Sequence, residues 1–270
     1  MKLNKVKEFG RYQEIVDIYK RKGCLSNDYL YQAAADLIIN DKLYEYTGVN
    51  NAFLFVEKDE CLRVYYYLND LSELHSFDID NNLVLEILFR GNMGTPNEEL
   101  DYFSKCGFRL HLRRDRYCGV YKDLQLPGVI TGVTVQKAAS IGEVEMACEL
   151  FNRSFDHYSG DFIAKEVMIS LYTGGCIWIA KDLNGHFAGA LHQTVERNVA
   201  WISHVAVVED YRGHGVGQAL LDVFVEQNKT DEKSRYMLWV QAQNAAAVNM
   251  YKKKGFKYLN KSTISMLKLK

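Results

Sequence analysis

The spacing of hydrophobic and polar positions predicts helices and strands throughout the N-terminal half of the chain. Three helices are predicted where apolar residues recur at helical intervals, over residues 8–21, 28–39 and 97–105. A β-hairpin is predicted over 52–67, because Lys58-Asp59 separates two apolar runs there. Further strands are predicted over 83–89 and from Gly107 onward.

Strands and helices are also predicted in the C-terminal half. Ser140 and Glu143 have the spacing of a capping box at a helix start, and Asn184-Gly185 predicts a hairpin turn. Strands are predicted over 133–138, 176–180, 187–195, 200–207 and 237–240. Helices are predicted from 141 onward, over 163–171, from 217 onward and over 244–256, and a final pair of strands from 256 onward.

The segment 122–128 is the best candidate for a domain boundary, because Pro127-Gly128 is a turn signal between two apolar regions. The chain has 270 residues, which is long for one average domain. We therefore expect two domains, at 1–125 and 132–270.

The two halves share a short stretch of similar sequence. Residues 103–108, Phe-Ser-Lys-Cys-Gly-Phe, align with residues 251–256, Tyr-Lys-Lys-Lys-Gly-Phe. The alignment indicates an internal repeat in which the first copy carries Phe103 in place of Tyr251. The alternative is an unrelated α+β domain in the N-terminal half.

Composition and charge argue against several classes of function. The net charge is −1, so no overall positive field favours nucleic acid, and the basic runs 113–116 and 252–254 are interpreted as solvated faces or helix-end charges. The six cysteines lack the spacing of a metal site and indicate reduced thiols in a cytoplasmic protein. For that reason we expect no metal. We also expect no membrane partner, because neither a signal peptide nor a long apolar run is present.

A glycine-rich segment after the predicted strand 200–207 has the features of an anion-binding loop. Gly213, Gly215 and Gly217 alternate just before a predicted helix. Glycine admits positive φ and close approach of a ligand to the backbone, and the first N–H groups of a helix lack intrahelical partners. Arg212 adds a positive charge beside the loop. The segment therefore predicts a site for phosphate or another bulky anion.

Two common nucleotide-binding loops do not match this segment. A Walker loop has Lys-Ser or Lys-Thr after its last glycine, where this chain has Gln218-Ala219. A Rossmann loop has its third glycine three residues after the second, and Gln218 stands at that position. The spacing that remains is Arg-x-x-Gly-x-Gly, and neither nucleotide hydrolysis nor NAD-dependent oxidoreduction is expected.

A second segment, residues 244–256, has the sequence of a helix complete with its caps. Asn244 is a favoured N-cap, and alanines follow it. Three lysines suit the negative C-terminal end of the helix, and Gly255 suits the left-handed residue that ends it.

Together the two segments resemble the Gcn5-related N-acetyltransferase (GNAT) superfamily. In that family Arg-x-x-Gly-x-Gly is the pyrophosphate loop, and Asn-x-x-Ala-x-x-x-Tyr with Gly-Phe follows it. The second pattern stands here as Asn244, Ala247, Tyr251, Gly255 and Phe256. The resemblance covers about 132–270 and implies an α+β GNAT fold, with a mixed, mostly antiparallel sheet whose two central strands splay apart around the cofactor. It also implies a tandem arrangement, in which the N-terminal domain is degenerate and GNAT-like and lacks the cofactor loop.

The resemblance further implies a site for acetyl-CoA as the acyl donor. The strand backbone would pair with the pantetheine arm, and one of its N–H groups would stabilise the oxyanion. The implied cofactor-binding residues are Val205, Ala206, Val207, Arg212, Gly213, His214, Gly215, Val216, Gly217, Gln218 and Asn244. Tyr251 is the implied catalytic residue, because a phenol with a pKa near 10 can protonate the departing thiolate. The alternative is that Tyr251 only packs.

The sequence leaves the general base open. His204, His192, Glu196 and a water relay are the alternatives. We assign His204 a structural role, because strand alternation points it away from the face that carries Ser203 and Val205.

The implied reaction is transfer of an acetyl or other acyl group from acetyl-CoA to an amine, by direct attack on the thioester. The protein would then be an N-acetyltransferase whose partners are a CoA thioester and an amine-bearing acceptor, acting as a monomer or a homodimer. An acceptor pocket is expected around Phe155, His157 and Tyr158. The alternative, from another class, is a CoA-binding sensor or adaptor without catalysis that binds a partner protein.

Overall fold

The computed structural model describes residues 1–58, 60–125, 132–159 and 162–270. These residues contain seven α-helices and thirteen β-strands. The helices are α1 Phe9–Tyr19, α2 Ala34–Ile39, α3 Asn97–Lys105, α4 Ile141–Ser154, α5 Met168–Thr173, α6 Val216–Gln227 and α7 Ala245–Lys254. The strands are β1 Asn4–Lys5, β2 Leu25–Ser26, β3 Leu43–Thr47, β4 Ala52–Lys58, β5 Cys61–Leu68, β6 Asn82–Phe89, β7 Arg109–Val120, β8 Val133–Lys137, β9 Ile177–Asp182, β10 Phe187–Glu196, β11 Val199–Val207, β12 Arg235–Gln241 and β13 Lys257–Lys268.

The described residues divide into two compact units. Unit 1 comprises Met1–Arg113 and Lys261–Lys270, and unit 2 comprises Arg114–Asn260. The turn Pro127-Gly128, on which the predicted boundary depends, lies outside the described residues, as does Asp59 of the predicted hairpin turn.

Unit 2 contains a six-stranded mixed sheet in the order β7-β12-β11-β10-β9-β8. Neighbouring strands are antiparallel except β11 and β12, which run parallel over 199–202 and 235–238. Helix α6 connects these two strands, as a parallel pair requires a crossover. β7 contributes residues 114–120, which pair with β12.

Helices cover both faces of the unit 2 sheet. On one face, Leu220 and Phe224 of α6 are buried against a cluster that includes Leu238 of β12. On the other, α4 buries Phe151 and its neighbours against strands β9 and β10. The predicted helix start at Ser140 is confirmed, because the Ser140 hydroxyl accepts a hydrogen bond from the Glu143 N–H at 3.3 Å. The reciprocal bond of a capping box differs, since the Glu143 carboxylate accepts from the Ala139 N–H, at 2.6 Å, and not from Ser140.

Unit 1 contains a sheet with the same pattern of pairing. Its order is β1-β3-β4-β5-β6-β13, and its only parallel pair in the described residues is β5 with β6, over 61–64 and 82–85. The sixth strand consists of residues 262–268 of β13, at the C-terminal end of the chain. Unit 1 thus takes its last strand from the C-terminal half, whereas unit 2 takes β7 from the N-terminal half.

Several predicted elements differ from the observed ones. The predicted final pair of strands was wrong, since 257–268 is one strand without a glycine or proline that would favour a turn. The helix predicted over 28–39 begins at Ala34, because the Asp28 carboxylate binds the Leu30 N–H in a turn before it. The helix predicted over 163–171 begins as a short 3₁₀ turn and becomes α-helical at Met168.

Candidate active site

The two central strands of unit 2 separate at the site. β11 and β12 are paired as far as Ile202 and Leu238, and among the described residues no ladder joins them beyond that point. β11 continues to Val207 on β10, and β12 continues to Gln241 on β7. The prediction of splayed central strands is therefore confirmed, and β11 offers a backbone edge with which an extended ligand can pair.

A cleft of about 790 Å³ lies along this edge and over the glycine-rich loop. We call it the first cleft. Ten of the eleven predicted cofactor-binding residues line it, and they are Val205, Ala206, Val207, Arg212, Gly213, Gly215, Val216, Gly217, Gln218 and Asn244. The exception is His214, whose side chain is exposed to solvent and is not part of the lining.

The loop presents backbone N–H groups because two of its glycines adopt left-handed conformations. Gly213 has φ of 80° and Gly215, the residue before α6, has φ of 83°. The first helical bond runs from Ala219 N to Gly215 O at 2.9 Å, so the N–H groups of residues 216–218 have no partner within the helix. Gly217 differs, because a Cβ there would lie 3.2 Å from the Met250 sulfur, and it serves close helix packing.

The charge of the first cleft favours an anion. Arg212 and Lys253 line it, and within the described residues its lining contains no carboxylate. Arg212 is exposed at the mouth, where its Nε donates to the carbonyl of Val207 at 3.3 Å. The Gln218 side chain donates to the Asp222 carboxylate at 2.9 Å. Cations and helical N–H groups together stabilise negative charge.

A second cleft, of about 510 Å³, adjoins the first. The two share five lining residues, which are Ser154, Phe155, Val205, Asn244 and Ala247. Tyr251, His192, His204 and Glu196 all line the second cleft. The structure therefore brings the predicted acid and all three side-chain candidates for the base into one cavity beside the free edge of β11.

Tyr251 is held at this junction by a well-capped helix. The Asn244 Oδ1 accepts a hydrogen bond from the Ala247 N–H at 3.1 Å, and Gly255 ends α7 with φ of 101°, so both predicted caps are confirmed. The Tyr251 ring packs on Phe256 and is only 3% exposed. Burial raises the pKa of Tyr251 well above its usual value near 10. The hydroxyl is therefore protonated at neutral pH.

A β-bulge in β11 changes which side chains face each side. His192 of β10 lies opposite His204, and the next residue, Gln193, lies opposite Ile202, so Ser203 is the extra residue. Ala206 beyond the bulge packs with α4, whereas Ile202 before it packs with α6. The simple alternation used to point His204 away from the acceptor therefore fails, since Ser203 and His204 both line the second cleft.

His192 and His204 form a buried pair. Each is 8% exposed, their Nδ1 atoms are 3.0 Å apart, and their rings are stacked. His204 also stacks on Phe151 of α4. Burial, together with the repulsion that a charged His204 would add, lowers the pKa of His192 to about 4.

The shifted pKa of His192 predicts that unit 2 loses stability in mild acid. In the unfolded chain His192 takes up a proton near pH 6.5, whereas in the fold it does so only near pH 4. Its contribution is therefore fully present above pH 6.5 and is lost as the pH falls towards 4. At pH 5 the expected loss in free energy of unfolding is about 2 kcal/mol.

Tryptophan fluorescence during urea unfolding measures this effect, because Trp178, Trp201 and Trp239 all belong to unit 2. His192→Gln should flatten the dependence of stability on pH between 5 and 7. The control is His214→Gln, because His214 is exposed. Equal pH dependence in both variants would contradict the prediction.

Aromatic and charged side chains line the rest of the second cleft. The Arg116 guanidinium lies 4.7 Å from the ring centre of Trp201 and 5.6 Å from that of Trp239, and both tryptophans line the cleft. The interpretation of the run 113–116 as solvated charge was therefore wrong for Arg116, because its guanidinium is half-buried against two indole rings. Arg114 lines the same cleft.

The acceptor pocket predicted around Phe155 is only partly matched. Phe155 lines both clefts. His157 and Tyr158 line neither, and the His157 ring contacts the Asn152 carbonyl at 3.1 Å instead.

Sequence analysis missed several residues of the site. Asn249, Met250 and Lys253 line the first cleft on one face of α7, together with Ala246. Their helical spacing beside Asn244 was the available signal. Tyr211 also lines the first cleft, where its hydroxyl donates to the Asp182 carboxylate at 3.0 Å.

The interpretation of the basic run 252–254 as solvated or helix-end charge was wrong for Lys254. It is not a solvated helix-end charge, since it is 3% exposed and its Nζ lies 2.5 Å from the Asp222 carboxylate. This buried ion pair joins α7 to α6, the two helices that border the first cleft.

Comparison with known proteins identifies the type of site. The splayed strands and the glycine-rich loop at a helix start are the features that the resemblance implied, and residues 144–256 match the model of the acetyltransferase (GNAT) family. The C-terminal half of the chain thus contains a segment that matches the GNAT family. An uncharacterized N-acetyltransferase of Methanocaldococcus jannaschii is 38% identical over 61 residues, which are 23% of this chain. The chain covers 27% of that relative's length.

Solved structures show the same fold over a longer stretch. A GCN5-related N-acetyltransferase from Sphaerobacter thermophilus matches with a TM-score of 0.58 and 14% identity, over 87% of this chain and 85% of that one. A tandem GNAT protein from the clavulanic acid biosynthesis pathway matches with a TM-score of 0.56 and 13% identity, over 99% of this chain and 98% of that one. At such identities the likeness concerns the fold, which is that of a tandem GNAT protein.

Within the described residues, no helix has both the length and the hydrophobicity that crossing a membrane requires. The same residues contain no group of three or more His, Cys, Asp or Glu side chains that could hold a metal ion.

Proposed function

We propose that unit 2 transfers an acetyl or other acyl group from a CoA thioester to an amine, by direct attack of the amine on the thioester carbonyl. The observation that carries the proposal is that two clefts meet at Val205, one suited to an anionic donor and the other containing Tyr251. A donor in the first cleft and an acceptor in the second can thus meet beside Val205.

In this proposal the first cleft holds the donor. The N–H groups of residues 216–218 and the charges of Arg212 and Lys253 would bind the pyrophosphate and other phosphate groups. The open edge of β11 would pair with the amides of the pantetheine arm. That arm would then place the thioester near Val205, where the two clefts meet.

The acceptor amine would enter through the second cleft. Its nitrogen adds to the carbonyl carbon, the C–N bond forms, and the C–S bond breaks. Tyr251 donates its proton to the departing thiolate, since its phenol is still protonated at neutral pH when the C–S bond breaks. A backbone N–H of β11 would stabilise the oxyanion, and such a donor is typically worth about 3 kcal/mol.

The candidates for the base differ in their suitability. His192 is 8% exposed and its Nδ1 contacts the His204 Nδ1, so it is less accessible than Glu196. Glu196 and His204 line the second cleft as well, and Glu196 is exposed to solvent, to which it can pass a proton. We propose Glu196 as the acceptor of the amine proton.

A turnover assay with the full chain tests the function. Acetyl-CoA is supplied with a panel of small amines, amino acids, aminoglycosides and peptide N-termini, and free CoA is followed with a thiol reagent. Amine-dependent release of CoA is the expected result. Tight binding of CoA without turnover on any amine would contradict the enzyme and support the sensor or adaptor.

A loop variant tests the place of the donor. Gly215→Ala should raise the Kd for CoA about tenfold, because a side chain at φ of 83° costs about 1 to 2 kcal/mol. The control is Gly142→Ala in the first turn of α4, where an added Cβ meets only the Ser140 hydroxyl at 3.8 Å. Calorimetry with CoA gives both constants, and equal affinities would contradict the assigned donor site.

A further inference from the structure

The parallel strands of unit 1 separate in the same way as those of unit 2. β5 and β6 are paired over 61–64 and 82–85, and β11 and β12 over 199–202 and 235–238. In each unit four pairs precede the separation. A gap for an extended ligand is therefore expected in unit 1 as well.

The chain itself fills this gap in unit 1. Leu25 and Ser26 form β2, which pairs antiparallel with Leu68 and Tyr67 of β5. The opposite edge of β5 is paired along its length with β4. β2 therefore lies on the edge of β5 that faces β6.

Asn27 joins the two separated strands. Its Nδ2 donates to the carbonyl of Val64 on β5 at 3.1 Å and to that of Glu86 on β6 at 3.0 Å. Its Oδ1 accepts from the Tyr66 N–H at 2.8 Å. Asn27 is 6% exposed, so one buried side-chain amide bonds three backbone groups of the two strands.

The position of β2 corresponds to the proposed position of the pantetheine arm in unit 2. Tyr67, which β2 covers, lies three residues after Val64, the last residue of β5 in the parallel pairing. Val205 likewise lies beyond Ile202, the last residue of β11 in the corresponding pairing, and because of the bulge at Ser203 it is two positions further in the register with β10. An extended segment on β5 thus stands where an extended ligand would lie on β11.

The inserted segment is fixed at its C-terminal end. The Asp28 carboxylate accepts hydrogen bonds from the hydroxyls of Tyr12, at 3.0 Å, and Tyr67, and from the Leu30 N–H at 2.8 Å. Unit 1 also differs from unit 2 around the gap. In the described residues 69–81, between β5 and β6, there is no helix, and the buried Phe103 occupies the position aligned with Tyr251.

We infer that residues 25–27 are a built-in strand that occupies, in unit 1, the place a CoA thioester would take in unit 2. Unit 1 consequently binds no CoA, and the chain binds one equivalent. The reference to CoA rests on the proposed function of unit 2. The pairing of residues 25 and 26 with β5, in the gap between β5 and β6, does not depend on that proposed function.

Hydrogen exchange of the native full chain tests the inserted segment directly. The Tyr66 amide should be among the protected amides of β5, and Asn27→Ala should accelerate its exchange at least about tenfold, because that variant removes its acceptor. The control is Asn40→Ala, because Asn40 is exposed and bonds only the Asp36 carbonyl. Unchanged exchange in a folded Asn27→Ala would overturn the inference. So would exchange of the Tyr66 amide in the unaltered chain at the rate of an exposed amide, which decides the question even if the variant does not fold.

Calorimetric titration of the full chain with CoA tests the stoichiometry. One equivalent is expected, and a second equivalent would overturn the inference. Absence of any CoA binding would contradict the proposed function of unit 2 instead, and hydrogen exchange would still decide whether the segment fills unit 1.

Discussion

Replacing Tyr251 with phenylalanine should lower turnover at least about tenfold while leaving the Kd for CoA nearly unchanged. The substitution removes one oxygen at the second cleft and keeps the ring that packs on Phe256. Tyr251 does not line the first cleft, so donor contacts persist. The loss should fall on the step in which the thiolate leaves, because the phenol supplies the proton at that step.

Steady-state kinetics on the best amine of the panel, with calorimetry for CoA, measure both quantities. The matched control is Tyr121→Phe, since the Tyr121 hydroxyl bonds Glu226 and lies outside both clefts. Unchanged turnover in Tyr251→Phe would show that this tyrosine only packs. A large rise in the Kd for CoA would show that it contributes to donor binding and not to proton transfer.

Replacing Lys254 with methionine should destabilise unit 2 by about 3 kcal/mol or more. Lys254 and Asp222 are both buried, at 3% and 6% exposed, so the variant leaves a carboxylate without its cation. Gln218 still donates to that carboxylate, but a neutral amide does not neutralise its charge. Urea unfolding followed by tryptophan fluorescence reports on unit 2 alone.

Two comparisons separate the ion pair from general effects of substitution. Lys252→Met, on the exposed face of the same helix, should change the free energy of unfolding by no more than about 0.5 kcal/mol. The double variant Asp222→Leu with Lys254→Met should recover much of the loss, because no charge then remains buried. A single variant as stable as the unaltered chain would contradict the assigned role.

Much of the donor site was predictable from sequence, because its features are local. Gly213, Gly215 and Asn244 are recognisable from their neighbours alone, since positive φ and helix capping depend on a few adjacent residues. The splay of the strands followed from the resemblance of these motifs to a family. His214 was the exception, because its side chain points to solvent from within the motif.

The acceptor side was less predictable, because it is assembled from distant segments. The bulge at Ser203 is visible only in the register of β11 against β10, and it brings His204 into the second cleft. Arg116 stacks on Trp201 and Trp239, which lie far along the chain. From its sequence neighbours alone, an arginine that stacks on distant tryptophans cannot be distinguished from an arginine that is exposed to solvent.

The sequence by itself determined the glycine-rich loop before α6 and the capped helix that carries Tyr251, because both depend on short-range backbone chemistry. Only the tertiary structure decided that Lys254 is buried, that each unit takes one strand from the other half of the chain, and that residues 25 and 26 pair with β5. These features are pairings between segments distant in sequence. Such pairings form between segments that meet only when the chain folds, so the residues next to each segment do not reveal them.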